Sequence, residues 1–395
     1  AYVASNHELV YRNSLTYANY DRTFSCSSSQ RGYYTSLRLL QANLCGLVQS
    51  RFMVSLSNTL LPRLGLGMAA LGRPGYINLD RDDVFGAAGS EGRKLETMQK
   101  RADRVMDAVL AECAKRDNAD GQLKPWFDCA RSYGLSEKFV GDFLRSKNVK
   151  PDEVQVSSKW GYTYVADWKV ELGEGEPHEV KDHSVENFLK QVKETEQEIG
   201  EYVDLYQVHS ATFESGILTD ERAHEALEKC REERGWSIGL SVSGTVQDEV
   251  LRKAMTIKTG NGSPLFNSVQ CTFNVLEQKP GTALLEAHRA GMDIVIKEGM
   301  ANGRALRHEV IQNVAARLGC SPDAFALACI LAQPFRPRVL SGAVTPEQLG
   351  SNMEALALAK MLESDEGKDV LKEVMEGCRM DSETYWKDRS SLAWN

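Results

Sequence analysis

The sequence Trp126-Phe-Asp-Cys-Ala-Arg-Ser-Tyr-Gly-Leu-Ser-Glu-Lys-Phe-Val-Gly-Asp-Phe-Leu-Arg-Ser-Lys147 contains the pattern on which the fold prediction rests. Its first part, Trp126–Ala130, is a short apolar run of the kind that forms a buried strand. Polar residues and a glycine follow, and from Leu135 to Lys147 apolar residues recur at the spacing of an amphipathic helix. The stretch therefore predicts one strand–loop–helix unit.

This unit recurs along the chain after Met53, which is the first methionine. Strands that alternate with helices predict a parallel sheet with crossover helices. Eight such units in roughly 300 residues favour a closed (β/α)8 TIM barrel over an open doubly wound sheet. The predicted strands are Arg63–Ala69, Trp126–Ala130, Val154–Trp160, Val203–His209, Ser237–Val242, Ser268–Phe273, Asp293–Lys297 and Arg338–Ala343. The predicted helices are Lys94–Lys115, Leu135–Lys147, Val185–Ile199, Glu221–Glu233, Val246–Met255, Thr282–Ala290, Glu309–Leu318 and Glu347–Leu362.

The predicted barrel covers residues 58–360, between an N-terminal extension (1–57) and a helical C-terminal tail (361–395). From Arg22 to Leu79 the chain has no acidic residue. Arg- and Ser-rich, acid-poor N-termini resemble organelle transit peptides. A disordered extension, or a native start at Met53, fits the composition as well. We therefore expect a cytoplasmic protein, or a chloroplast or mitochondrial one if residues 1–52 are a transit peptide.

Composition excludes several classes of function. A net charge of −8 argues against nucleic-acid binding, which requires a basic surface. The nine cysteines are spaced singly, without a CxxC pair or a Cys/His cluster, so we expect reduced thiols and no metal site. No apolar run approaches the roughly 18 residues of a membrane span.

One glycine motif imitates a dinucleotide-binding fingerprint. Gly65-Leu-Gly67-Met-Ala-Ala70, within and just after the first predicted strand, looks like this fingerprint, but the fingerprint requires a helix to begin at once. Here the turn-rich residues 71–77 follow instead. A Rossmann domain is therefore not predicted.

Four reactive side chains fall at the ends of three consecutive predicted strands. Asp128 ends the second strand and Tyr133 lies in the loop after it, while Lys159 and His209 end the third and fourth strands. The carboxyl ends of barrel strands share one mouth, so we expect these four side chains to meet there. Taken singly, a strand-ending lysine more often reaches solvent, and a lone histidine there is more often a satisfied rim residue.

Together these residues resemble the aldo-keto reductase family, over roughly residues 60–360. The patterns that carry the resemblance are Asp-x4-Tyr-Gly-x-Ser-Glu from Asp128, the strand-ending Lys159, and Leu-Tyr-Gln-x-His ending at His209. The resemblance implies a barrel that transfers a hydride between a nicotinamide cofactor and a carbonyl group. Its substrate would be a small carbonyl compound or a sugar.

Reduction of a carbonyl needs a proton as well as a hydride. Tyr133 would supply it as general acid, or remove it as base in the reverse direction. A phenol has a pKa near 10, so we expect the ammonium of Lys159 to lower the pKa of Tyr133, with Asp128 holding the lysine. The resemblance implies that His209 donates a hydrogen bond to the substrate oxygen.

The resemblance also implies a cofactor site. Ser241 and Gln270 match residues that hold the carboxamide, whereas Val242 replaces the usual asparagine and Lys297 the usual stacking aromatic. Around Gly342 the chain resembles the family segment that binds the adenosine phosphate. The usual Lys and Arg of this segment are absent here, and the resemblance to branches of the family with this version implies NADP(H) in preference to NAD(H). The predicted cofactor-binding residues are Gly67, Met68, Ser241, Gln270, Lys297, Met300, Gly342, Gln348 and Asn352.

The loop from Gly161 to about His183 follows the third strand and is expected to select the substrate. Trp160 and Tyr162 at its base are candidates to line an apolar pocket, with ordinary rim packing as the alternative. The departures at Val242 and Lys297 keep a second hypothesis open. In that hypothesis the chain is a cofactor-binding, non-catalytic regulatory subunit with a protein partner.

Overall fold

A computed structural model describes residues 63–120 and 124–394. The residues to which the transit-peptide, disordered-extension and Met53-start interpretations refer lie outside this range. The described strands are β1 (Leu64–Gly67), β2 (Trp126–Asp128), β3 (Gln155–Trp160), β4 (Tyr162–Tyr164), β5 (Glu179–Lys181), β6 (Val203–Val208), β7 (Ser237–Ser241), β8 (Ser268–Thr272), β9 (Asp293–Lys297) and β10 (Arg338–Ser341).

The described helices lie between and after these strands. They are α1 (Asp82–Phe85), α2 (Leu95–Asp120), α3 (Ser136–Ser146), α4 (Val185–Ile199), α5 (Glu221–Arg234), α6 (Gln247–Met255), α7 (Gly281–Arg289), α8 (Glu309–Leu318), α9 (Pro322–Leu331), α10 (Pro346–Met353), α11 (Ala355–Leu362), α12 (Asp365–Cys378) and α13 (Ser382–Ser390).

Eight of the described strands are parallel and close into a barrel in the order β1-β2-β3-β6-β7-β8-β9-β10, with β10 pairing back to β1. Apart from the closing β10–β1 pair, neighbouring barrel strands also follow one another in the sequence, as βαβ crossover connections produce. The predicted (β/α)8 barrel is confirmed.

Three features differ from the predicted elements. The loop after β3 contains an antiparallel hairpin of β4 and β5. Helix α9 was not predicted, because all its central residues are buried and it has no polar face to mark a helical period. The predicted helix Glu347–Leu362 is two helices that meet at Glu354, whose own dihedral angles remain helical, so the apolar period does not reveal the junction.

The closed end of the barrel is filled by an indole ring. A Cβ placed on Gly65 would lie 2.1 Å from Cε3 of Trp126, so only glycine leaves room for this ring. The guanidinium of Arg338 lies 3.9 Å from the ring centroid. Trp126 Nε1 donates to Ser157 Oγ at 3.1 Å, and Ser157 Oγ donates to Asp128 at 2.7 Å. The barrel floor is thus hydrogen-bonded to the residue that ends β2.

The glycine motif of β1 has a packing role rather than a Rossmann one. Met68–Ala70 forms a single 3-10 turn, and this turn does not continue into an α-helix. The prediction that this segment is not a dinucleotide-binding fingerprint agrees with this geometry.

The C-terminal tail is helical, as predicted, and packs beside the carboxyl ends of β8 and β9. Tyr385 of α13 is fully buried, and its hydroxyl accepts a hydrogen bond from Asn274 at 3.0 Å. Arg389 of the same helix pairs with Glu298, which directly follows β9. Trp394 stacks on His178 from the loop after β3, with ring centroids 4.1 Å apart.

None of the described helices is by itself long and apolar enough to cross a membrane. The consecutive helices α8 and α9 meet that test only as a pair, and they are bent by 96° relative to each other. The described cysteines are all free thiols.

Candidate active site

Asp128 and Lys159 form a buried ion pair at the carboxyl ends of β2 and β3. Lys159 Nζ lies 2.5 Å from Asp128 Oδ2 and donates to the carbonyl oxygen of Cys129 at 2.9 Å. The other carboxylate oxygen accepts from Ser157 Oγ at 2.7 Å and from Gln270 Nε2 at 3.1 Å. A buried ion pair needs such additional partners to offset its desolvation. Neighbouring strands therefore fix both charges in place.

Tyr133 lies close to two cations. Its ring centroid is 4.8 Å from Lys159 Nζ and 5.2 Å from Arg73 Cζ. Burial and the Asp128 carboxylate raise the pKa of Tyr133 well above its ordinary value, against the effect of Arg73. The pKa of Tyr133 is thus raised in the free protein and not lowered as expected, because burial and the Asp128 carboxylate outweigh the nearby cations. Tyr133 remains a neutral phenol, which is the form that donates a proton.

His209 completes the group. Its ring lies 5.5 Å from that of Tyr133 at an angle of 87°, and its Nδ1 is 3.3 Å from Ser132 Oγ. Burial, followed by the charge of Lys159 and other nearby cations, lowers the pKa of His209 well below its ordinary value. At neutral pH the imidazole is uncharged and has one N–H to donate. The structure thus brings together all four predicted catalytic residues.

A cavity of about 410 Å³ opens beside this group, and its wall includes Asp128 and Tyr133. The wall continues to the turn after β10. It includes seven of the predicted cofactor-binding residues, namely Gly67, Gln270, Lys297, Met300, Gly342, Gln348 and Asn352. One continuous space therefore joins the reactive phenol to the segment expected to hold the adenosine phosphate.

Two predicted cofactor contacts lie elsewhere. Met68 is fully buried in the hydrophobic core. Ser241 is fully buried too, and its Oγ accepts a hydrogen bond from the backbone N–H of Ser210 at 2.8 Å. Neither residue belongs to the cavity wall, so their prediction as cofactor contacts is not supported by their placement.

The two residues proposed to line a substrate pocket differ in placement. Lys159 faces the barrel interior, so the next residue, Trp160, faces outward. It is fully buried, and its ring packs on Phe188 of α4 with centroids 4.8 Å apart. This placement does not support the prediction that Trp160 lines the substrate pocket. The ring of Tyr162 lies 5.0 Å from that of His209, so Tyr162 stays a candidate for substrate contact.

The cavity wall contains an acceptor that suits a carboxamide. Gln270 Oε1 is buried and has no hydrogen-bond partner among the described residues. An unpaired buried oxygen is costly unless a ligand N–H meets it. The carboxamide of a nicotinamide carries such donors, so this side chain fits the cofactor that the fold family implies.

The segment after β10 is neutral. Residues 342–352 include no Lys or Arg. Gln348 Oε1 accepts from the Val344 N–H at 2.9 Å, and Asn352 Nδ2 donates to Asp323 at 2.7 Å, so both amides already have protein partners. Positive charge for a phosphate must come from another part of the cavity.

Arg81 places a positive charge in the cavity wall, and the sequence prediction did not include this residue. Its side chain is 4% exposed and lies in the cavity wall, where it donates to the carbonyl oxygens of Arg73 and Pro74. It makes no ion pair within the described residues, and burial, together with neighbouring arginines, lowers its pKa to about 9. Arg81 lies in a long loop after β1, where no periodic pattern marks individual residues.

Lys297 is a second cation in the wall. Its Nζ donates to Thr272 Oγ1 at 2.6 Å and to Ser243 Oγ at 2.9 Å, and burial lowers its pKa. The adjacent Glu298 also lines the cavity, but its carboxylate is paired with Arg389. Glu298 directly follows β9, so the same search of strand ends that identified Asp128, Lys159 and His209 could have identified it.

Comparison with known proteins gives the family. The sequence model of the aldo/keto reductase family matches residues 84–370. No curated protein matches the chain. The aldo-keto reductase AKR11C1 from Bacillus halodurans, in its holo form, superposes with a TM-score of 0.53 and 20% identity over 79% of this chain and 91% of its own. A structure from Pseudomonas aeruginosa assigned to the aldo-keto reductases gives a TM-score of 0.50 and 19% identity over 77% and 94%.

At these identities the two structures share the fold of this chain and do not by themselves indicate its activity. The family model is the stronger finding, because it spans most of the described barrel, including the strands that carry Asp128, Lys159 and His209. The chain belongs to the aldo-keto reductase family.

Proposed function

We propose that this protein is an NADP(H)-dependent oxidoreductase that reduces aldehydes or ketones, or oxidises the matching alcohols or aldoses, with Tyr133 as general acid and base. The observation that carries the proposal is the phenol of Tyr133 packed between His209 and the Asp128–Lys159 pair at the end of a cavity. A non-catalytic, cofactor-binding subunit would not require all four of these side chains.

In reduction, the side chains act on the carbonyl oxygen. When bound, the nicotinamide supplies the hydride for the carbonyl carbon. Tyr133 is a protonated phenol and donates a hydrogen bond, then its proton, to the oxygen as negative charge develops there. His209, held by Ser132, donates a second hydrogen bond from its neutral imidazole. Transfer of the proton leaves a phenolate, which the ammonium of Lys159 stabilises at that moment.

The wall residues would hold the cofactor along the cavity. Gln270 would accept a hydrogen bond from the carboxamide, and the guanidinium of Arg81 would attract a phosphate group. The choice of NADP(H) over NAD(H) is part of the proposal and depends on whether Arg81 reaches the 2′-phosphate. Titration of the protein fluorescence with NADPH and with NADH measures this preference directly.

The catalytic proposal predicts a specific loss in Tyr133→Phe. Reduction of a panel of aldehydes and aldoses should fall at least about 100-fold, because the proton donor is gone. The Kd for NADPH should stay within about twofold, since the change removes one hydroxyl without altering the cavity charge. The matched control is Tyr202→Phe, which removes a phenol hydroxyl just before the start of β6, at the opposite end of the barrel.

Equal turnover in Tyr133→Phe and the parent would overturn the proposed role of Tyr133. Tight NADPH binding with no turnover of any aldehyde by the parent would instead favour the non-catalytic regulatory subunit. That alternative draws on Lys297, which stands where the family has an aromatic ring.

A further inference from the structure

Arg73 connects the reactive tyrosine to two other parts of the molecule. Its Nη1 donates to the carbonyl oxygen of Ser132 at 2.9 Å, one residue before Tyr133. The same atom pairs with Glu179 of β5 at 2.8 Å. The side chain of Arg73 is 3% exposed and that of Glu179 is 25% exposed, so water reaches the carboxylate but not the guanidinium.

Aromatic rings surround the same guanidinium. Arg73 Cζ lies 5.2 Å from the ring centroid of Tyr133, 5.2 Å from that of Tyr76 and 4.8 Å from that of Trp394 in the C-terminal tail. A guanidinium over a ring face is attracted to it, and more strongly when water is excluded. The loop after β1, the β4–β5 hairpin and the C-terminal tail therefore all hold one cation against the reactive phenol.

We propose that Arg73 is a positioning residue that holds Tyr133 and stabilises its phenolate during proton transfer, while Glu179 opposes that stabilisation. This inference rests on the proposed role of Tyr133 as general acid and base. In the folded protein Lys159 has Asp128 at 2.5 Å, which opposes its charge at the ring. The side chain of Glu179, the counter-ion of Arg73, is 25% exposed, whereas that of Asp128 is 2% exposed. Solvent screens the charge of Glu179 more than that of Asp128, so a larger share of the Arg73 charge acts on the phenol.

Other charged and titratable groups around Tyr133 are unchanged by the variants proposed below. Asp128 ends β2, Lys159 lies on β3 and His209 follows β6. Tyr76 lies in the loop after β1, and Glu298 follows β9. Any change in the titration of Tyr133 can therefore be assigned to the arginine or to its hairpin partner.

The test uses the full chain and the oxidation of 4-nitrobenzyl alcohol by NADP+, in which Tyr133 must be a phenolate to accept a proton. In Arg73→Gln the rising limb of the plot of kcat against pH should shift to higher pH by about one unit, because a cation near the phenol is lost. Arg73→Lys should recover part of that shift. In Glu179→Gln the limb should move in the opposite direction, because an anion is lost.

A purely structural role gives a different pattern. Both Arg73→Gln and Glu179→Gln break the same contact, so structural damage would change kcat in the same direction and leave the limb in place. That result would overturn the proposal. Circular dichroism melting curves establish that each variant is folded.

A second readout does not depend on turnover. The alkaline tyrosinate absorbance of each protein, minus that of its Tyr133→Phe counterpart, reports the titration of Tyr133 alone. The tyrosinate signal at a given alkaline pH should fall in Arg73→Gln and rise in Glu179→Gln. Coincident curves in all three backgrounds would overturn the inference, whereas undiminished turnover in Tyr133→Phe would overturn the proposed function on which it rests.

Discussion

At the scale of single residues, small and charged side chains decide where the site can form. Gly65 admits the indole of Trp126, and that indole is hydrogen-bonded through Ser157 to Asp128. The sequence marked this glycine only as part of a misleading motif. The side chain at position 65 is restricted to glycine by the ring of Trp126, which lies 61 positions further along the chain. A local sequence pattern cannot reveal a contact between residues so far apart.

We expect Gly65→Ala to destabilise the barrel by about 3 kcal/mol, because a Cβ 2.1 Å from Trp126 Cε3 forces a ring that is enclosed on all sides to move. The control is Gly350→Ala in α10, where a Cβ would meet nothing within 4 Å. That change should stabilise by about 0.5 kcal/mol, since alanine restricts the unfolded chain. Urea unfolding of both variants measures the difference. Equal effects would contradict the packing assigned to Gly65.

Lys297 should affect the two redox states of the cofactor differently. An oxidised nicotinamide ring carries a positive charge that the reduced ring lacks, and Lys297 places an ammonium without an ion-pair partner, among the described residues, in the same cavity wall. We expect Lys297→Met to improve NADP+ binding relative to NADPH by about tenfold, because repulsion of the oxidised ring is removed. Fluorescence titration of both forms gives the ratio of the two Kd values. A ratio equal to that of the parent would show that Lys297 lies too far from the ring to act on it.

At the scale of elements, the order of strands and helices was predictable because each barrel strand is a buried apolar run and most helices have one apolar face. Strand-end positions then placed Asp128, Lys159 and His209 together. The elements that the sequence did not predict are those without such a period. Helix α9 is apolar on all sides, and the β4–β5 hairpin is short and half-buried. Arg73 and Arg81 lie in a loop whose position depends on tertiary contacts alone.

The C-terminal helix α13 should depend on one ion pair. Burial alone would raise the pKa of Glu298, but the charges of Lys297 and Arg389 outweigh burial and lower it. A carboxyl with a lowered pKa contributes stability above its unfolded-state pKa, and this is lost as pH falls through the folded-state value. We therefore expect Arg389→Met to lower the free energy of unfolding by about 2 kcal/mol at neutral pH.

The pH dependence gives this prediction its sign. The difference in free energy of unfolding between parent and Arg389→Met should become smaller as the pH falls below the ordinary carboxyl pKa of 4.5. At such pH values Glu298 becomes protonated, and a neutral carboxyl gains little from the charge of Arg389. The control is Arg317→Met, which breaks an exposed pair with Glu373 and should leave stability unchanged. A gap that is constant with pH would mean that Arg389 acts only through packing. Unfolding by urea at a series of pH values checks this.

At the scale of the whole molecule, the barrel places the ends of all eight strands at one mouth, and the β4–β5 hairpin and C-terminal tail pack beside it. The barrel fold accounts for the mouth, and the hairpin, the tail and Arg73 add further contacts around Tyr133. We propose that the cavity brings a hydride donor to a carbonyl group whose oxygen lies at Tyr133.

The most direct test follows the hydride itself. Wild-type protein and Tyr133→Phe are each incubated with 4-nitrobenzaldehyde and NADPH that carries deuterium at the transferable C4 position, and the alcohol is analysed by mass spectrometry. We predict one deuterium on the carbinol carbon for each NADPH oxidised by the wild type, and almost no alcohol from Tyr133→Phe although it still binds NADPH. Unlabelled alcohol from the wild type, or equal labelled product from Tyr133→Phe, would contradict the account.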